Sequence, residues 1–66
     1  MFIRFRYEKL GGHYHIRVFT NLQGPDYTYA NAGTIIMRED EMLPFQDLFL
    51  GRQSVEFIDG YDDDDA

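Results

Sequence analysis

Residues 2–20 read Phe2-Ile3-Arg4-Phe5-Arg6-Tyr7-Glu8-Lys9-Leu10-Gly11-Gly12-His13-Tyr14-His15-Ile16-Arg17-Val18-Phe19-Thr20. Apolar and polar residues alternate on both sides of the glycine pair. A period of two is the signature of a half-buried strand, because successive side chains leave a pleated backbone on opposite faces. Residues 2–8 predict a first strand with Ile3, Phe5 and Tyr7 on one face and Arg4, Arg6 and Glu8 on the other. Lys9-Leu10-Gly11-Gly12 predicts a turn, since paired glycines supply positive φ at little cost. Residues 13–20 predict the return strand of a hairpin, with Tyr14, Ile16 and Val18 inward and His13, His15 and Arg17 outward.

Asn21 to Asn31 holds Gly24-Pro25-Asp26, a strong turn signal, and predicts a long ordered loop held by its tyrosines. Thr34-Ile35-Ile36-Met37, within Gly33–Arg38, predicts a third strand. The pattern then changes period. Met42, Phe45, Leu48 and Phe49 recur at three- and four-residue spacing after Glu39-Asp40-Glu41, which suits the positive end of a helix. Pro44 is tolerable only in the first turn, where amides lack intrahelical partners, so the helix is expected from about Leu43. Gly51 provides its stop. Ser54–Ile58 predicts a last strand with Val55 and Phe57 inward. Residues 61–66 are expected to be a disordered acidic tail.

The expected fold is α+β, in the order βββαβ. An antiparallel three-stranded unit is followed by one helix, packed on one sheet face, and a final strand. Residues 1–60 make one domain. The face carrying Ile3, Phe5, Tyr7, Tyr14, Ile16 and Val18 lies under the helix, and the opposite face holds Arg4, Arg6, His13, His15 and Arg17 toward water. A final strand beside the first would run parallel to it.

Sixty-six residues bury a modest core, and the chain has no cysteine to staple it. Eleven Phe and Tyr residues compensate, since aromatics bury the most area per residue. The absence of cysteine suits a reducing cytoplasm. Met1–Arg6 alternates and forms no apolar leader, and no apolar run is long enough to span a membrane. A cytoplasmic protein, monomer or homodimer, is expected.

The net charge of −6 is unevenly spread. Residues 1–23 carry +3, and residues 24–66 carry −9. Glu39, Asp40, Glu41, Asp47, Glu56 and Asp59 are therefore the candidate partner-binding residues. On composition they are a solubility face. Regularly placed carboxylates on a rigid domain can also imitate a phosphate backbone and draw a basic protein surface at steered rates. Arg4, Arg6, His15 and Arg17, with aromatics interleaved, form an alternative nucleic-acid face. The overall negative charge opposes direct nucleic-acid binding. His13 and His15 share a face about 7 Å apart, but no third and fourth metal ligand is near in sequence. No phosphate-loop pattern, nucleophile–base spacing or cofactor motif is present. A non-enzymatic protein without cofactor or metal is expected.

Gly11–Phe19 and Tyr27–Glu41 together resemble small uncharacterised bacteriophage and prophage proteins. Those run as a histidine-rich strand, an aromatic loop ending in Ala-Gly, an apolar strand and an acidic helix start. The likeness covers about residues 11–58. It departs at Pro44, where a plainer helix start with a bulky aromatic is the pattern. The resemblance implies an anti-CRISPR-type inhibitor of host defence, acting in the cytoplasm of an infected bacterium. Its partner would be a host protein or protein–nucleic-acid complex with a basic surface.

Overall fold

Leu10 pairs with His13 in the computed structural model, so only Gly11 and Gly12 make the first turn. Gly11 takes φ 62, the left-handed value that tight two-residue hairpin loops demand at their first position. The structure describes residues 1–24 and 26–60. The expected acidic tail, 61–66, lies outside the described residues. The two alternating segments become β1 (Phe2–Leu10) and β2 (His13–Asn21), each longer than its sequence pattern. The backbone ladder continues through Lys9 and Leu10 after alternation stops, because pairing needs only amides and carbonyls.

β3 (Ala30–Arg38) also starts earlier than expected. Ala30 and Asn31 pair with Thr20 and Phe19, and then the register shifts. Ala32 is the extra residue of this bulge, and Gly33 beside it sits at φ 135, a conformation few side chains tolerate. β4 (Val55–Asp59) runs parallel to β1, with Ile3 opposite Val55 and Phe5 opposite Phe57. The sheet order is β3-β2-β1-β4. β3 and β4 are the two edges, and the helical segment crosses the sheet between them. The fold is α+β, with an antiparallel β1–β3 unit, one short helix after it and a last strand, as expected.

The helix is shorter than its periodicity suggests. A 3₁₀ turn spans Glu39–Glu41, and α1 is Met42–Asp47, with Pro44 in its first turn. Leu48, Phe49 and Leu50 continue only through bonds to carbonyls three residues back. Met42 is buried, Phe45 and Phe49 pack beside it, and Leu48 is exposed at the rim of the apolar stripe. Phe5 stacks on Phe57 at 4.9 Å and meets Phe45 and Phe49 at 5.3 Å each. This aromatic cluster, with Ile16 and Met42, fixes the helical segment to the centre of the sheet. Each such ring pair adds about 0.5–1.5 kcal/mol beyond area burial.

The opposite face departs from the expectation of a wet surface. Phe19, Arg6 and Asn21 are all under a tenth exposed there. Residues 22–24 and 26–29 follow β2 at that end, and Asn21 organises them. Its Nδ2 donates to the Tyr27 carbonyl at 2.5 Å, and its Oδ1 accepts from the Gln23 and Gly24 amides at 3.1 and 2.9 Å. The loop is thus held first by an asparagine rather than by tyrosines alone. Among the described residues, no helix is long and apolar enough to cross a membrane.

Candidate functional site

β1, β3 and β4 run in the same direction, so their C-terminal ends meet at one end of the sheet. Three strand spacings, about 14 Å, lie between β3 and β4, and β4 stops three residues, about 10 Å, short of the end of β3, because Asp59 is level with Tyr7 and Arg38 is level with Leu10. Glu39, Asp40 and Glu41 leave β3 there, and Asp59 ends β4. The fold therefore keeps Glu39, Asp40 and Glu41 together at that end and brings Asp59 toward it, on the opposite edge and set back. It does not gather the other two. Asp47 closes α1, about 9 Å of helix from the turn. Glu56 lies on the sheet face away from α1, bonded to the Arg4 Nε.

The acidic turn is braced locally. The Glu39 amide donates to the Gly12 carbonyl at 3.0 Å, which ties the turn to the first hairpin. The Arg38 amide donates to Glu41 Oε1 at 3.1 Å. Each acid also has a cation beside it. Lys9 Nζ is 2.7 Å from Glu39, and Arg38 Nε is 3.1 Å from Asp40 and 3.9 Å from Glu41. The bond and charge of Glu39 raise the Lys9 pKa, and Asp40 followed by Glu41 raises that of Arg38. All these side chains are at least half exposed, so solvent and salt screen the pairs and they brace the turn only weakly. Lys9 and Arg38 against these four carboxylates sum to −2, and Glu8, one residue nearer this end than the level of Asp59, adds a further negative charge.

Asp59 lies opposite Tyr7. Burial, and then the Asp59 charge, push the Tyr7 phenol above its ordinary value of 10.0. Beside the turn runs a groove of about 520 Å³, lined by Met37, Arg38, Asp40, Glu41, Pro44, Phe45 and Leu48. It joins an apolar floor to a charged rim. Nothing in the linear pattern marks it, because Met37 and Leu48 meet only through the helix crossing.

The four residues of the alternative nucleic-acid face do share one side of the sheet. All four are engaged within the fold. Arg4 is bonded to Glu56 and lies 4.1 Å from the centre of the Tyr29 ring. Arg6 is buried, with Nη1 3.3 Å from the Gly60 carbonyl. His15 and Arg17 are half-buried beside them. His13 and His15 stand on this side, opposite Arg38 and Ile36 of β3. Among the described residues, no group of three or more His, Asp or Glu is placed to hold a metal ion.

Compared with protein-family models, with curated proteins and with solved structures, the chain matches none.

Proposed function

We propose that this is a non-enzymatic, phage-type binding protein that inhibits a nucleic-acid-handling defence complex of its host, and that the acidic end of the sheet is its contact surface. The observation that carries the reading is the run of Glu39, Asp40 and Glu41 at one end of the sheet beside an apolar groove, with Asp59 toward the same end on the opposite edge. A basic protein surface is steered toward such an end. On contact, its Arg or Lys residues exchange with Lys9 and Arg38 for the carboxylates. Exposed pairs are weak, so the exchange costs little. An apolar side chain of the partner would enter the groove and slow dissociation. The braced carboxylates suit this mixed contact better than pure imitation of a phosphate backbone, in which acids stand without cations beside them.

The test is affinity capture from a host lysate with the wild-type chain and with a Glu39→Lys, Asp40→Lys, Glu41→Lys variant. The expected result is a nucleic-acid-handling complex retained by the wild type, eluted by salt and lost in the variant. Retention by the variant with unchanged salt dependence would remove the acidic end from the mechanism. A gel shift with short single- and double-stranded DNA at low salt addresses the arginine-bearing face; no shift is expected.

A further inference from the structure

The two edges of the sheet are guarded differently. β4 is five residues long and carries Glu56 and Asp59, the kind of short, charged edge that resists pairing. β3 is nine residues long, and residues 30–37 contain no charge and no proline. All of them except Met37 are exposed, Ile36 to 60%.

The outward hydrogen-bonding groups of β3 can be identified. Glu39 donates inward, to Gly12. In an antiparallel ladder the direction alternates, so Met37 and Ile35 also face β2, opposite Tyr14 and Ile16, while at the bulge the Gly33 amide donates to Asn31 Oδ1 at 2.8 Å. Arg38, Ile36 and Thr34 then face outward. The Arg38 amide is taken by the Glu41 carboxylate. Toward the other end, the bulge at Ala32 breaks the regular edge. Two amides and two carbonyls remain, those of Thr34 and Ile36.

We infer that a second copy of this chain pairs on this edge, β3 antiparallel to β3, about a two-fold axis at Ile35. Thr34 then lies opposite Ile36 of the second copy, and Ile36 opposite its Thr34. The four groups of each copy satisfy those of the other, a self-complementarity that a two-fold contact requires. Shifting the axis to Ile36 would call on the Arg38 amide, which Glu41 occupies. Shifting it to Thr34 would run the ladder into the bulge. The side-chain pairs in the chosen register are Ile35 with Ile35, Ile36 with Thr34, and Met37 with Gly33, none of them charged. Met37 and Arg38, which border the groove, meet the small Gly33 and Ala32 of the second copy, so the groove stays open.

Charge does not oppose this pairing. Glu39 of one copy falls opposite Asn31 of the other. The two acidic turns are then about 26 Å apart along the strands. That is several times the screening length of about 8 Å at physiological salt. The inference rests on the β3 edge and is independent of the acidic-end reading.

The chain has no cysteine, so single cysteines test the register. At a non-hydrogen-bonded pair on the axis, two copies of Ile35→Cys face each other within disulfide reach. Two copies of Ile36→Cys are diagonal, about 8 Å apart, and out of reach. Sedimentation of the wild type at hundreds of micromolar should give twice the chain mass. Mild oxidation should cross-link Ile35→Cys nearly fully and Ile36→Cys hardly at all. Ile35→Lys and Ile35→Glu should each sediment as monomers with an unchanged circular dichroism spectrum and form a mixed dimer when combined. A monomeric wild type, or equal cross-linking at both positions, overturns the proposal. A wild-type dimer that survives Ile35→Lys overturns it as well, since the copies would then meet elsewhere.

Discussion

The two faces of the sheet come from the same alternating strands, yet they are closed by different physics. Over the α1 side, Phe5, Phe45, Phe49 and Phe57 pack ring against ring around Ile16 and Met42. That closure is non-directional and scales with buried area. On the other side Phe19 is buried where Arg4, set between Glu56 and Tyr29, lies opposite it, and the chain that follows is shaped by one buried asparagine. That closure is directional, and each polar group must keep its partner. The difference teaches that an outward-facing row of polar residues on a strand is not thereby a free surface.

The largest way to break the contrast is Phe5→Ala. Phe5 is buried and touches three other rings. Removing it should cost about 3–5 kcal/mol, enough to unfold much of a domain this small. Chemical denaturation measures the loss. Asn21→Ala attacks the other face. It strands the Tyr27 carbonyl and the Gln23 and Gly24 amides, and should cost about 1–3 kcal/mol. Amide exchange should rise first in residues 22–29, with the Phe5 cluster still protected. Simultaneous loss of protection on both faces would show that they are not separate units. Arg4→Met keeps part of the packing and removes the charge. It should cost no more than about 1 kcal/mol, because Glu56 is half exposed.

The smallest effect concerns pH. The Tyr7 phenol is raised above 10.0, chiefly by burial. The unfolded chain therefore ionises first on the alkaline side. The stabilisation is full below about pH 10 and is lost as pH rises through the folded value. Lys9, raised by its bond to Glu39, changes in the same direction. Tyr7→Phe should flatten the alkaline limb of a stability-against-pH curve and leave the neutral plateau in place. An unchanged limb would assign the alkaline loss to other groups.

Much of the fold was legible because alternation is local. Phe5 and Tyr7 share a side of β1 whatever else the chain does, and the change of period at Met42 marks the helix. The end of that helix was less legible. Phe49 fits a helical stripe, but the winding tightens after Asp47 and leaves Leu48 and Leu50 exposed. Of the candidate site, the acids of residues 39–41 stood together in the sequence already. Asp59 came toward their end only because β4 runs parallel to β1, and Glu56 left them because Arg4 lies opposite. Asn21 carried a readable signal, an asparagine three residues before a glycine, which is an asparagine-turn pattern. The groove lined by Met37 and Leu48 carried none.

The sequence by itself determined that β1 and β2 form a hairpin, which residues share each of its faces, and where the charges fall along the chain. These follow from backbone pleat and glycine conformation, which act over a few residues. Only the tertiary structure decided that β3 and β4 become opposite edges and that Arg6 is buried. It also decided that Lys9 braces Glu39 and that β3, uncharged over residues 30–37, is left at an edge with the Thr34 and Ile36 amides pointing outward. Each of those depends on which distant segment lies alongside, and a local pattern does not encode its neighbour across the sheet.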